Sequence, residues 1–406
     1  MLTILENAGW LLLPILGHAF FWIGLVNRIH GLRLRHRVVL PLQLFHFLWV
    51  PLASVAWIWA FGLRGPRLLA GGLPSDIPGT WRLAGVVFSL LAVTGLIRWF
   101  LMRRRPPAPQ IISVRSTIHP IEEELAPVPL RGRGRNWRWL SLPGNESLTL
   151  EIIELELALP RLPQEWDGLR ILHLSDLHFT GSVLRPYFDR LVELACERPV
   201  DMIAFTGDLL DDERLIDWIP PTLGRLSAPL GCHFLLGNHD WEWGDLAGSR
   251  ALLEHYGWND AGRQPRRIEY RGSTVMLTGD ERPWLGHGPD WSQAQAGDFR
   301  LLLSHTPDNI ASARQSQVDL MLAGHTHGGQ ACLPVVGPIY SPSLFGVKYS
   351  GGTFDLPPVL LQVSRGVGGL HPWRWNCRPE ITFLTLRPGL TKSASPAKSD
   401  PEMTPQ

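Results

Sequence analysis

Gly237-Asn238-His239-Asp240 closes the apolar run His233-Phe234-Leu235-Leu236, and four other runs end in the same way. Ile171-Leu172-His173-Leu174 leads into Asp176-Leu177-His178, and Met202-Ile203-Ala204-Phe205 leads into Gly207-Asp208-Leu209-Leu210-Asp211. Leu301-Leu302-Leu303 leads into His305, and Leu320-Met321-Leu322-Ala323 leads into Gly324-His325-Thr326-His327. Short apolar runs bounded by Gly and turn chemistry read as strands buried on both faces. Layered α/β folds gather ligands at the C-terminal ends of such strands. The pattern predicts one rim carrying Asp176, His178, Asp208, Asn238, His305, His325 and His327. Carboxylate, carboxamide and imidazole donors without thiolate select Mn, Fe, Zn or Mg. The set is too large for one tetrahedral ion, and a carboxylate can bridge two. A metal pair roughly 3.5–4 Å apart suits in-line phosphoryl displacement, with water activated near neutral pH.

The ordered blocks D-x-H, G-D-x-x-D, G-N-H-D, a lone H and G-H-T-H resemble the calcineurin-like metallophosphoesterases over about residues 148–387. Within that family the chain is similar to a bacterial membrane-associated branch. That likeness rests on Leu162-Pro163, Gly168-Leu169-Arg170-Ile171, the extension Gly328-Gly329-Gln330, Ser364-Arg365-Gly366 and Pro379-Glu380. The resemblance implies a four-layer α/β/β/α sandwich and a binuclear centre. Asp176, His178 and His327 would hold one divalent metal, Asn238, His305 and His325 the other, and Asp208 both. A metal-bridging hydroxide would attack phosphorus in line, with His239 facing the substrate.

Other residues carry plainer readings. Asp240 is expected to orient His239 or to make a loop hydrogen bond, and Asp211 to support a ligand or cap a helix. Arg365 is a candidate phosphate contact or a structural ion pair. His173, His233 and His255 read as core or surface groups.

The N-terminal hundred residues differ in character. Asn7–Asn27 and Val38–Leu63 are free of charge, and Thr80–Met102 carries only Arg82 and Arg98. About 20 apolar residues span a bilayer core, so three transmembrane helices are predicted, with Trp residues toward their ends as an aromatic belt. The first loop and the post-helix segment carry seven Arg and the second loop three. That bias places the N-terminus outside and the catalytic domain on the cytoplasmic side of the inner membrane. The expected division is a membrane domain 1–105, a linker 106–146, a catalytic domain 147–388 and a disordered tail 389–406.

Net charge is +1, and no basic run with interleaved aromatics occurs in the catalytic part, so nucleic acid is not indicated. The four cysteines show no C-x-x-C spacing and no disulfide framework. The expected partners are the lipid bilayer and a phosphoester or diphosphate, with a lipid-linked one among the candidates. Trp241 and Trp243, with Trp284, Trp291, Trp373 and Trp375, are candidates for an aromatic rim. Some relatives in this branch cleave the diphosphate of UDP-2,3-diacylglucosamine, which that rim would suit. The alternatives are a phosphatase or phosphodiesterase on a soluble substrate, with the helices as anchor or sensor, and a non-catalytic scaffold.

Overall fold

The computed structural model describes residues 2–389. The tail expected to be disordered lies, from residue 390 on, outside the described residues. Helices α1 (Leu2–His30), α2 (His36–Trp57) and α3 (Gly79–Arg103) fall on the three apolar stretches. The apolar helical spans run 26, 28 and 25 residues, α2 continuing as a π-turn to Leu63. At 1.5 Å per residue each exceeds a hydrocarbon core of about 30 Å. They pack through small residues: a Cβ on Gly17 would lie 1.7 Å from the Phe88 carbonyl oxygen, and one on Gly95 2.3 Å from the Phe20 ring. With no solvent to drive association, such close backbone approach holds membrane helices together. Gly9, on the same helix, has nothing within 4 Å of a built Cβ. We therefore expect Gly17→Val to lower the thermal midpoint of the detergent-solubilised protein, by about 1–3 kcal/mol of stability. Gly9→Ala should leave it in place, and equal melting of both variants would refute this packing.

The part of the chain that follows the helices is built on two sheets. The first contains β1 (Ile111–Pro120), β2 (Thr149–Leu159), β3 (Arg170–Leu174), β4 (Met202–Thr206), β5 (Cys232–Leu235), β6 (Trp258–Asp260) and β15 (Glu380–Pro388), in the order β1-β2-β15-β3-β4-β5-β6. The second contains β7 (Arg266–Tyr270), β8 (Ser273–Asp280), β9 (Phe299–Ser304), β10 (Leu320–Ala323), β13 (Gly352–Leu356) and β14 (Val359–Val363), in the order β13-β14-β10-β9-β8-β7. A small hairpin, β11 (Cys332–Leu333) with β12 (Gly337–Pro338), stands apart.

Strand periodicity explains the layering. Ile171, Ala204 and Leu235 of the first sheet meet Leu277, Leu301, Leu303 and Leu322 of the second in one core. Their neighbours Leu172, Ile203 and Phe234 face the other way, onto Tyr187, Phe188 and Leu191 of helix α5 (Arg185–Cys196). On the far side Leu302, Met321 and Leu361 cover Ile310 and Ala313 of helix α8 (Ile310–Gln315). The result is helix, sheet, sheet, helix. Strands β3, β4, β5, β9 and β10 all run parallel to a neighbour, so their C-terminal ends open on one edge.

The segment 106–146 differs from the expected linker. β1 pairs antiparallel with β2 from Ile111 to Pro120, and a single turn, α4 (Ile121–Glu124), buries Ile121 in the core. The alternation on β1 is weak because seven of its ten residues are exposed on a sheet edge.

Candidate metal centre

Each of the five strands delivers its candidate ligands just beyond its C-terminal end, from His305 directly after Ser304 to His327 in the loop after Ala323. The chain turns sharply there: Asp176, Asp208, His178, His325 and His327 have φ of 53°, 58°, 49°, 71° and 52°. Left-handed backbone in so many non-glycine residues stores strain that only a functional arrangement makes worthwhile. Two glycines are fixed by space. A Cβ on Gly237 would fall 2.1 Å from Asp208 Oδ1, and one on Gly324 1.8 Å from Ser175 Oγ.

Ligand atoms of Asp176, His178, Asp208 and His327 lie within 4.8 Å of one another, and so do those of Asp208, His305 and His325. Asn238 joins the second group, its Oδ1 being 2.8 Å from His305 Nε2. Asp208 belongs to both groups, with Oδ2 3.6 Å from His178 Nε2 and 3.3 Å from His305 Nε2. Its Oδ1 accepts the His239 backbone N–H at 2.9 Å. Asp208 Oδ2 and His325 Nε2 are buried and find no hydrogen-bond partner among the described residues. Unpartnered acceptors in a dry pocket are what a cation satisfies.

The electrostatics agree. Burial and the positive charge of neighbouring imidazoles hold His325 and His327 well below the ordinary histidine range, so both stay neutral and able to ligate. Burial would raise the Asp208 carboxyl, but the imidazoles of His305 and His239 outweigh it and drive it well down. The residues present therefore fit divalent metal.

Helix α6 (Asn238–Trp243) starts inside the pocket. His239 does not lean on Asp240. Its Nδ1 is held by Asp211 Oδ1, while Asp211 Oδ2 holds His178 Nδ1 at 2.7 Å. One carboxylate thus orients both imidazoles. Burial opposes the charge on His239, but Asp211 and Asp208 prevail and push it up to about 9. The Asp240 carboxylate instead accepts four backbone N–H groups, from Asp208, Leu209, Leu210 and Gly237, at 2.9–3.0 Å. It ties the β4 loop to the β5 loop. Asp240→Ala would leave four buried donors unsatisfied, so we expect a loss of about 3 kcal/mol or more in chemical denaturation. A shift under about 1 kcal/mol would contradict that role.

Arg365, a candidate phosphate contact, is spoken for: its guanidinium pairs with Glu380 and, at 2.9 Å, with Glu151. The residue that sequence reading missed is Arg374. It is 1% exposed, and its guanidinium donates to the carbonyls of His327 at 2.9 Å and Arg365 at 2.8 Å. It braces the loop that carries His327. The aromatic rim is also smaller than expected. Trp284 is buried behind His305 and His325, and Trp291 packs against the outer helix layer. Trp243 stands beside His239, with ring centroids 4.9 Å apart.

Comparison with known proteins decides the family. Over 223 residues the chain is 32% identical to the phosphodiesterase YaeI of Escherichia coli, covering 82% of that protein and 53% of this one. The chain is a calcineurin-like metallophosphoesterase. The sequence profile of the calcineurin-like phosphoesterases matches residues 169–329, which takes in all seven candidate ligands. The uncharacterized metallophosphoesterase YkuE of Bacillus subtilis is 31% identical over 235 residues, 82% of its length and 56% of this chain. The UDP-2,3-diacylglucosamine pyrophosphatase LpxG of Chlamydia muridarum is 25% identical over 305 residues, 92% of its length and 61% of this chain. As a metallophosphoesterase the protein is a hydrolase, and its three N-terminal helices are long and apolar enough to cross a membrane.

Proposed function

We propose that this metallophosphoesterase uses two divalent cations to hydrolyse a phosphoester or diphosphate carried on a membrane lipid, of the UDP-2,3-diacylglucosamine kind. Asp176, His178 and His327 would hold one cation, Asn238, His305 and His325 the second, and Asp208 both. Such cations supply Lewis acidity toward phosphoryl oxygens and a nucleophile at neutral pH. The chain does the rest. Asp211 fixes the Nδ1 side of His239, leaving Nε2 to bind a phosphoryl oxygen or to pass a proton to the leaving oxygen.

The observation that carries the lipid reading is where the apolar helices meet the segments beside the ligand loops. The C-terminal end of α1 is pinned to the segment after β12: Asn27 Nδ2 donates to the Ile339 carbonyl at 3.1 Å, and His30 packs on Tyr340. The α3 residue Trp99 donates to the Val336 carbonyl at 2.9 Å. Beside these contacts Val335, at the hairpin tip, is 76% exposed, and Val336 and Leu344 are exposed too. On the other side of the mouth the α1–α2 loop touches α6. Both the α1–α2 loop and the end of α3 thus lie on the catalytic side of the helices, as three passes require. The Arg asymmetry supports the inner membrane with that side cytoplasmic.

The test is hydrolysis by the full-length protein in detergent with Mn, comparing UMP release from UDP-2,3-diacylglucosamine with p-nitrophenol release from bis-p-nitrophenyl phosphate. Preference for the lipid supports the reading. Turnover of the small diester alone would remove the lipid substrate and leave a phosphodiesterase. The side of the membrane is tested by labelling Cys196, which is exposed, with an impermeant maleimide. Labelling in intact cells before permeabilisation would reverse the orientation.

A further inference from the structure

Helix α6 has His239 near its start and Trp241 and Trp243 one turn on, and cations from two distant segments collect on those two indoles. From the α1–α2 loop, Arg33 lies 5.5 Å and Arg35 5.0 Å from the Trp241 ring centroid. From the segment before β2, Arg135 lies 4.5 Å from the Trp243 centroid. The loop is fastened in place. The His36 backbone N–H donates to Glu242 Oε1 at 2.6 Å, and the His36 ring packs on Trp243 at 5.3 Å.

Elsewhere in the domain arginines sit in carboxylate pairs, as Arg250 does with Glu281 and Arg387 with Glu156. Arg33, Arg35 and Arg135 are exposed and enter no ion pair among the described residues. Asp212, whose charge Arg135 feels, is already held by Arg214 at 2.6 Å. Glu242 is engaged by the His36 amide. None of the three arginines pairs with either carboxylate, and like charges so gathered repel one another, which an anion joining them would relieve. A stacked guanidinium uses its face on the indole and keeps its N–H edge free, in the fork geometry that fits phosphate.

We propose that the α1–α2 loop of the membrane domain is a wall of the substrate site, where Arg33 and Arg35, with Arg135 opposite, bind a phosphate of the substrate other than the one attacked. This rests on the reading of the pocket as a lipid-linked phosphoester or diphosphate site. It assigns the membrane helices a part in recognition beyond anchoring. The same chemistry would recognise a headgroup phosphate of a neighbouring lipid, and the test separates the two.

The experiment uses the full-length protein in detergent with Mn and compares wild type with Arg33→Ala/Arg35→Ala. The first readout is UDP binding by calorimetry. The second is the ratio of kcat/KM for the lipid-linked diphosphate to that for bis-p-nitrophenyl phosphate. Loss of two charge-assisted contacts should weaken UDP binding by about tenfold or more and lower the ratio similarly. Arg33→Lys/Arg35→Lys should recover part of both. Values within twofold of wild type would overturn the subsite. So would unchanged UDP binding and ratio together with lost binding to phosphatidylglycerol vesicles, which would assign the arginines to bilayer headgroups. If the double variant does not fold, Arg35→Gln, which keeps most of the stem on Trp241, is read in its place, with about threefold expected. Wild type that binds UDP in an Arg35-dependent way yet hydrolyses no diphosphate would end the lipid-diphosphate reading and leave the anion subsite standing.

Discussion

Asp208→Asn is expected to lower turnover of every phosphoester by about a thousandfold or more, and to reduce bound divalent metal measured on the same preparation. Asp208 is shared by both ligand groups, and its buried Oδ2 has no hydrogen-bond partner among the described residues. Asparagine keeps the shape and an acceptor toward the His239 N–H, so the fold is preserved while the negative charge between the two groups is lost. His325 and His327, neutral already, would then face a pocket with one carboxylate fewer. Wild-type metal content together with activity within about tenfold of wild type would remove Asp208 from the centre.

His239→Gln should reduce kcat by about 10²–10⁴-fold while leaving metal content unchanged, since the ligand set proposed above does not include this imidazole; lost metal would instead place it, with Asp211 and His178, among the ligands. The loss should be larger for an alkoxide or phosphate leaving group than for p-nitrophenolate, which departs without a proton. The pH profile carries a second signature. Asp211 raises the His239 imidazole to about 9, so the acid form persists through neutrality and is lost as pH rises through that value. Asp211→Asn removes the charge that raises it, and the alkaline limb of kcat should move to lower pH. A limb that stays in place would show that another group sets it. A gain in metal dependence in Asp211→Asn would be no surprise, because the same carboxylate also orients His178.

What the sequence disclosed was the part written in local patterns. Five apolar runs ending in polar clusters were enough to place the strands, the common edge and the gathering of Asp176, His178, Asp208, Asn238, His305, His325 and His327 there. What it concealed was pairing between distant segments. Asp240 follows His239 directly, which invites a link between their side chains. On a helix, however, successive side chains point about 100° apart, so Asp240 turns back to the β4 loop while Asp211 meets the imidazole. The Ser364-Arg365-Gly366 and Pro379-Glu380 motifs looked like two features, yet Arg365 and Glu380 are one ion pair. The exposed edge strand β1 had no buried face to announce itself by alternation. Arg33, Arg35 and Arg135 gave no signal, because their meeting depends on how a membrane hairpin lands on a helix some two hundred residues away.

The pinning of α1 to the segment after β12, of α3 to the hairpin, and of the α1–α2 loop to α6 leaves the catalytic domain no free tether. Its distance from the bilayer is set by three attachments at three points, as a tripod sets the height of an instrument. On the lipid-linked reading proposed above, the pocket would therefore work at one fixed depth. A bond held higher above the leaflet, on a longer headgroup, or lower, among the acyl esters, would miss the ligands whatever its chemistry. Selectivity of this kind is a length measured along the membrane normal, set by Asn27, Trp99 and the His36–Glu242 contact rather than by the groups that touch the substrate.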